Sequence, residues 1–135
     1  MEINKQRFEM RVGAHASNVG DLRKAVVAFA QEMGFDDTSQ IALAVSEAIT
    51  NAVVHAYRDC EVGDVRVVAC DKPDSLIVVV RDYGAGMLPR ADSPGLGLGL
   101  PLIATLAESL ELGTGADDRT EVRMTFLLSD AEAAA

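Results

Sequence analysis

Apolar residues recur along this chain with two different periods. Val19, Leu22, Val26, Phe29 and Met33 return at spacings of three and four, which predicts an amphipathic helix over residues 19–33 with Gly34 as its stop. A second helix is predicted from the cap-forming run Asp36, Asp37, Thr38 and Ser39 to about residue 58. Its Ile41, Val45, Ala48, Ile49, Ala52 and Ala56 share an apolar face. Period-two or continuous β-branched runs predict strands at 3–13, 65–70, 76–80, 110–114 and 120–128. Asp71-Lys72-Pro73-Asp74 reads as the turn of a first hairpin and Gly115-Ala116-Asp117-Asp118 as that of a second. The continuously apolar LIVVV run reads as a central strand, and residues 100–110 as a short helix.

The resulting order is strand, helix, helix, two strands, glycine-rich loop, helix, two strands. That order predicts an α+β domain, a two-layer sandwich with helices on one face of a mixed, mostly antiparallel sheet. Residues 1–135 are expected to form one domain, with a frayed tail from about residue 129.

Inside the second helix, Glu47, Asn51 and His55 follow at four-residue spacing, each about 40° from the last around an α-helix. A carboxylate, a carboxamide and an imidazole therefore line up beside a face that packs into a core. Asn51 is the most informative of the three, because a mid-helix asparagine is disfavoured unless its side chain has a task. A carboxamide oxygen suits Mg²⁺, which keeps most of its waters and takes few protein ligands. His55 alone is more often a hydrogen-bonded structural residue, and Glu47 alone a solvated one.

The stretch RDYGAGMLPRADSPGLGLG, residues 81–99, holds five of the eleven glycines and two of the four prolines. Asp82-x-Gly84-x-Gly86 leaves an apolar strand, where backbone can approach a ligand; its bland reading is a capped glycine turn. Gly95-x-Gly97-x-Gly99 precedes a helix, where bared amides and the dipole can hold an anion. Neither a P-loop nor a Rossmann fingerprint fits, because no Gly-Lys-Ser/Thr follows and no strand leads directly in.

Composition narrows the function. A net charge of −9, with Lys5, Lys24 and Lys72 as the only lysines, argues against direct contact with nucleic acid. No apolar run is long enough for a membrane span and no signal peptide is visible, so a cytoplasmic location is expected. Cys60 and Cys70 lack metal-ligand spacing and are expected as reduced thiols.

Taken together, Glu47-x-x-x-Asn51-x-x-x-His55-Ala56-Tyr57, the two glycine boxes and the late Thr120 closely resemble the GHKL (Bergerat-fold) ATP-binding superfamily. Within it the chain is most similar to the free-standing anti-sigma factor serine/threonine-protein kinases, over nearly its whole length. The resemblance implies a Bergerat fold that binds ATP or ADP with Mg²⁺. It implies Glu47 as general base towards a serine hydroxyl and Asn51 as metal ligand. Asp82 would accept from the adenine amino group with support from Thr120, and Gly84 and Gly86 would let the base pack on backbone. Gly95, Gly97, Leu98 and Gly99 would hold the phosphates by their amides, and His55 would stay structural. The implied partners are an anti-anti-sigma protein of the STAS type, which is phosphorylated, and a sigma factor, which is sequestered; a homodimer is implied as well.

Three departures stand against that pattern. The segment from Met87 to Pro94 is short for an ATP lid, Arg90 is its only basic residue, and Arg119 stands where a glycine usually precedes the threonine. They keep two other readings open: a nucleotide-dependent binding regulator with little phosphoryl transfer, and a detached histidine-kinase-like catalytic domain.

Overall fold

The computed structural model describes residues 7–56, 63–83, 96–114 and 120–134. Five strands form one sheet: β1 (Arg7–Gly13), β2 (Asp64–Asp71), β3 (Ser75–Asp82), β4 (Ser109–Thr114) and β5 (Thr120–Leu127). Their spatial order is β1-β2-β3-β5-β4. The expected mostly antiparallel sheet is present, and every pairing among the described residues is antiparallel. The reason is topological. A helix carries the chain from β3 to the far edge, where β4 forms, and β5 then returns between β4 and β3.

Helices α1 (Val19–Met33), α2 (Ser39–Asn51) and α3 (Leu96–Leu106) cover one face of this sheet, with α2 packed against both α1 and α3. Alternation within each strand decides which side chains meet them. Leu76, Val78, Val80 and Asp82 of β3 are buried, as are Thr120, Val122, Met124 and Phe126 of β5. On the helices the expected stripes supply the other half of the core: Leu22, Val26 and Phe29 from α1, and Ile41, Val45, Ala48 and Ile49 from α2. Each fully buried Leu, Ile or Met side chain contributes about 1.5–3 kcal/mol of transfer free energy. The layer is therefore held chiefly by apolar burial.

Local signals account for the helix ends. Gly34 closes α1 in the left-handed region at φ 113°, where a side chain would be strained, and its amide reaches the Ala30 and Gln31 carbonyls. Asn18 stands at the start of α1 but does not cap it; its Nδ2 donates to the Gly13 carbonyl at 2.8 Å and ties the helix to β1. Asp37 accepts from the Ser39 amide at 2.9 Å and from its hydroxyl, turning the chain into α2. Those two bonds hold the Asp37 carboxyl below its ordinary pKa.

Two expectations are corrected. The second helix does not continue as an α-helix to residue 58: α2 ends at Asn51 and a π-helical turn follows over Ala52–Ala56. At the other end, the expected frayed tail forms a short helix, α4 (Asp130–Ala134). Ser129 and Glu132 make a reciprocal capping box, with the Ser129 amide on Glu132 Oε1 at 2.8 Å and the Glu132 amide on Ser129 Oγ at 3.1 Å. The other Glu132 oxygen accepts from the Asp36 amide at 2.6 Å, latching α4 onto the loop between α1 and α2.

Candidate functional site

Four of the site residues expected from the sequence have described side chains, and they come from three adjoining elements. Glu47 and Asn51 lie one turn apart on α2, Asp82 ends β3, and Thr120 begins β5. The helix and its π-helical extension pack directly on β3, the strand that ends at Asp82. Departures from α-helical pitch are frequent at functional positions, and this one follows Asn51 immediately.

Asp82 is wholly buried and stands opposite Thr120 in the β3–β5 register, with Val65 of β2 on its other side. Thr120 is 2% exposed. Directly opposed residues hold their Cβ atoms about 4.5–5.5 Å apart, which sets a carboxylate and a hydroxyl side by side against an apolar wall. That arrangement suits an acceptor for an exocyclic amine of a flat heteroaromatic group. The strand end also continues into the first glycine box.

Asn51 is 5% exposed, and its Nδ2 finds no hydrogen-bond partner among the described residues. Leaving a buried polar group unmatched costs about 1–3 kcal/mol. A carboxamide kept at such a position is suited to a partner that the chain does not itself supply, and rotation about χ2 can present either its oxygen or its nitrogen. The unmatched atom is a donor and so fits an oxygen of a bound nucleotide; a divalent cation there would be held by the Asn51 carboxamide oxygen. Glu47 is half-buried one turn earlier, within reach of water.

The second glycine box is placed differently from expectation. α3 begins at Leu96, not near residue 100, so Gly97, Leu98 and Gly99 form its first turn. The first four amides of a helix have no intrahelical acceptor, which leaves those of residues 96–99 facing outward from the helix start. Pro101 has no N–H, so it cannot bond back to the Gly97 carbonyl and loosens the ladder at the same turn. Gly84, Gly86, Arg90 and Gly95 lie outside the described residues, as do the short segment from Met87 to Pro94 and Arg119.

The comparisons with known proteins agree with this fold. The family model of the histidine kinase-like ATPase domain matches residues 12–126. The chain belongs to that family. Within the family it is similar to the serine-protein kinases RsbW of Bacillus mycoides (strain KBAB4) and Bacillus cereus (strain Q1). Each is 32% identical over 124 residues, covering 79% of this chain and 77% of the relative. The antiparallel sheet with helices on one face is the arrangement expected for a histidine kinase-like ATPase domain, and all four described site residues lie within the matched span.

One part of this site was not foreseen. Tyr83, next to Asp82, is gripped from the opposite face of the sheet. The Arg11 guanidinium lies 4.6 Å from its ring centroid, and Arg66 donates to its hydroxyl. That hydrogen bond, more than the neighbouring Glu9, raises the Arg66 pKa. Arg11 is held in turn by Asp64 at 2.8 Å, and Arg66 pairs with Glu9. The polar alternation of β1 and β2 was visible in the sequence, but the register that brings Arg11 beside Tyr83 was not.

Proposed function

We propose that this protein is an ATP-binding anti-sigma factor with serine-protein kinase activity. In this reading it sequesters a sigma factor and phosphorylates a serine of a STAS-type anti-anti-sigma partner, whose binding releases the sigma factor. The observation that carries the proposal is a buried Asn51 with an unmatched Nδ2 and a half-buried Glu47 one turn away, on a helix packed against the strand whose last residue, Asp82, faces Thr120. Similarity to serine-protein kinases over four-fifths of the chain supports the same reading.

Each residue then has one task. Asp82 accepts from the adenine amino group, and the Thr120 hydroxyl beside it supports that contact. The amides of residues 96–99, with those of the glycine boxes, receive phosphate oxygens. Asn51 holds Mg²⁺, which when bound neutralises phosphate charge and aligns the terminal phosphoryl group. Glu47 accepts the proton of the substrate serine as its oxygen forms the new bond to phosphorus and the bond to ADP breaks. Two copies of the chain assemble into a homodimer, and the protein works in the cytoplasm without touching DNA.

Incubation with radiolabelled ATP, Mg²⁺ and the anti-anti-sigma partner tests the proposal. Serine labelling that disappears in Glu47→Ala is the expected result. Tight ATP binding without labelling would replace it by a nucleotide-dependent binding regulator, the reading that the short segment from Met87 to Pro94 favours. Acid-labile phosphohistidine on a partner would indicate a histidine-kinase-like domain instead.

A further inference from the structure

The face of the sheet turned away from the helices carries no covering layer among the described residues, and its side chains divide the charges of the protein unevenly. A groove of about 280 Å³ crosses it. Val68, Ile77 and Val79 give it an apolar lining, and Arg7, Lys72, Arg81 and Arg123 surround them. Four basic residues thus line one groove that no acidic residue among the described ones lines.

The four cations are not equivalent. Arg81 is held by Glu121, and Arg7 lies 3.3 Å from Glu9, a carboxylate that it shares with Arg66. Lys72 and Arg123 have no ion-pair partner among the described residues, although Glu111 stands across from Arg123 in the β4–β5 register. Both are exposed, on a chain whose net charge is −9. An apolar strip of half-buried Ile77 and Val79 with Val68 at its floor, flanked by two unspent cations, is complementary to a ligand that is apolar along one side and anionic along its edges.

We propose that this groove docks an acidic amphipathic segment of a partner protein, its apolar side chains on Val68, Ile77 and Val79 and its carboxylates on Lys72 and Arg123. A second copy of the chain fits less well, because packing the groove on its own image brings like cations together. Nucleic acid fits less well too: two free cations are a small footprint, and the rest of the molecule repels a polyanion. The groove lies on the opposite side of the sheet from Glu47 and Asn51, so the proposal stands independently of the nucleotide reading.

Fluorescence anisotropy tests it with a labelled amphipathic helical peptide bearing leucine on one face and glutamate on the other. The peptide should bind the full chain, and binding should weaken about tenfold or more in Lys72→Glu/Arg123→Glu and with added salt. Lys24→Glu, on the exposed side of α1, should leave it unchanged, separating the groove from net charge. A peptide with lysine replacing glutamate should not bind. Equal loss in Lys24→Glu and in the groove variant would overturn the proposal. So would absence of binding, or preference for a labelled single-stranded oligonucleotide. A homodimer in sedimentation that the groove variant dissociates would assign the face to self-association instead.

Discussion

Asp82 and Thr120 face each other across β3 and β5, the last residue of one strand against the first of the next, and both are buried. In the proposed reading the Asp82 carboxylate accepts from the adenine amino group. Asp82→Asn should therefore weaken ATP binding by about tenfold or more, since a hydrogen bond to a charged group is worth about 1.5–3 kcal/mol. Thr120→Val, which removes only a supporting hydroxyl, should weaken it several-fold. Isothermal titration calorimetry with Mg-ATP compares the two. Equal affinity in Asp82→Asn and the parent chain would remove Asp82 from the site.

Glu47 and Asn51 share a helix turn but should fail in different ways. Glu47→Gln keeps size and polarity while removing the base, so phosphoryl transfer should fall about 10²–10⁴-fold with ATP affinity nearly unchanged. Asn51→Ala should abolish the Mg²⁺ dependence of nucleotide binding. Its stability cost should be small, because the amide nitrogen it deletes is unmatched among the described residues. Transfer rates and binding isotherms measured on the same preparations separate the two roles.

Tyr83 offers a test of whether the far face of the sheet steadies the site. Tyr83→Phe keeps the ring under Arg11 and loses the bond from Arg66, at about 0.5–1.5 kcal/mol. Tyr83→Ala should also lose the cation–π contact, worth about a further 0.5–1 kcal/mol. Urea unfolding reads both. If the clamp positions the strand end, nucleotide affinity should fall in the same order.

Docking of α4 should depend on pH. Hydrogen bonds from the Ser129 and Asp36 amides, with the Ser129 hydroxyl after them, hold the Glu132 carboxyl below its ordinary pKa. A lowered carboxylate pKa stabilises above the unfolded value and loses that contribution as pH falls through the folded one. Exchange of the Asp36 and Ser129 amides should accelerate between about pH 5 and pH 3, after correction for intrinsic rates. Glu132→Gln should show fast exchange already at neutral pH. A pH-independent difference between the two proteins would disprove the ionic origin of the latch.

Much of this molecule was determined by the sequence alone, because local periodicity reports burial directly. The stripes of α1 and α2, the β2–β3 hairpin and the central place of LIVVV follow from which residues need to leave water. Asn51 stood out in the sequence as a polar residue in a mid-helix position, and the structure shows it buried. Ser129-x-x-Glu132 was a readable capping box that the alanine-rich tail disguised. Tertiary structure decided what depends on register and on backbone pitch. The return of β5 between β3 and β4 makes Thr120 the neighbour of Asp82, and the backbone changes pitch at Asn51, where α2 gives way to a π-helical turn. Arg11 and Arg66 meet Tyr83, and Lys72 meets Arg123 at one groove, only because strands distant in sequence align. Pairing across a sheet is a long-range choice that no local pattern encodes.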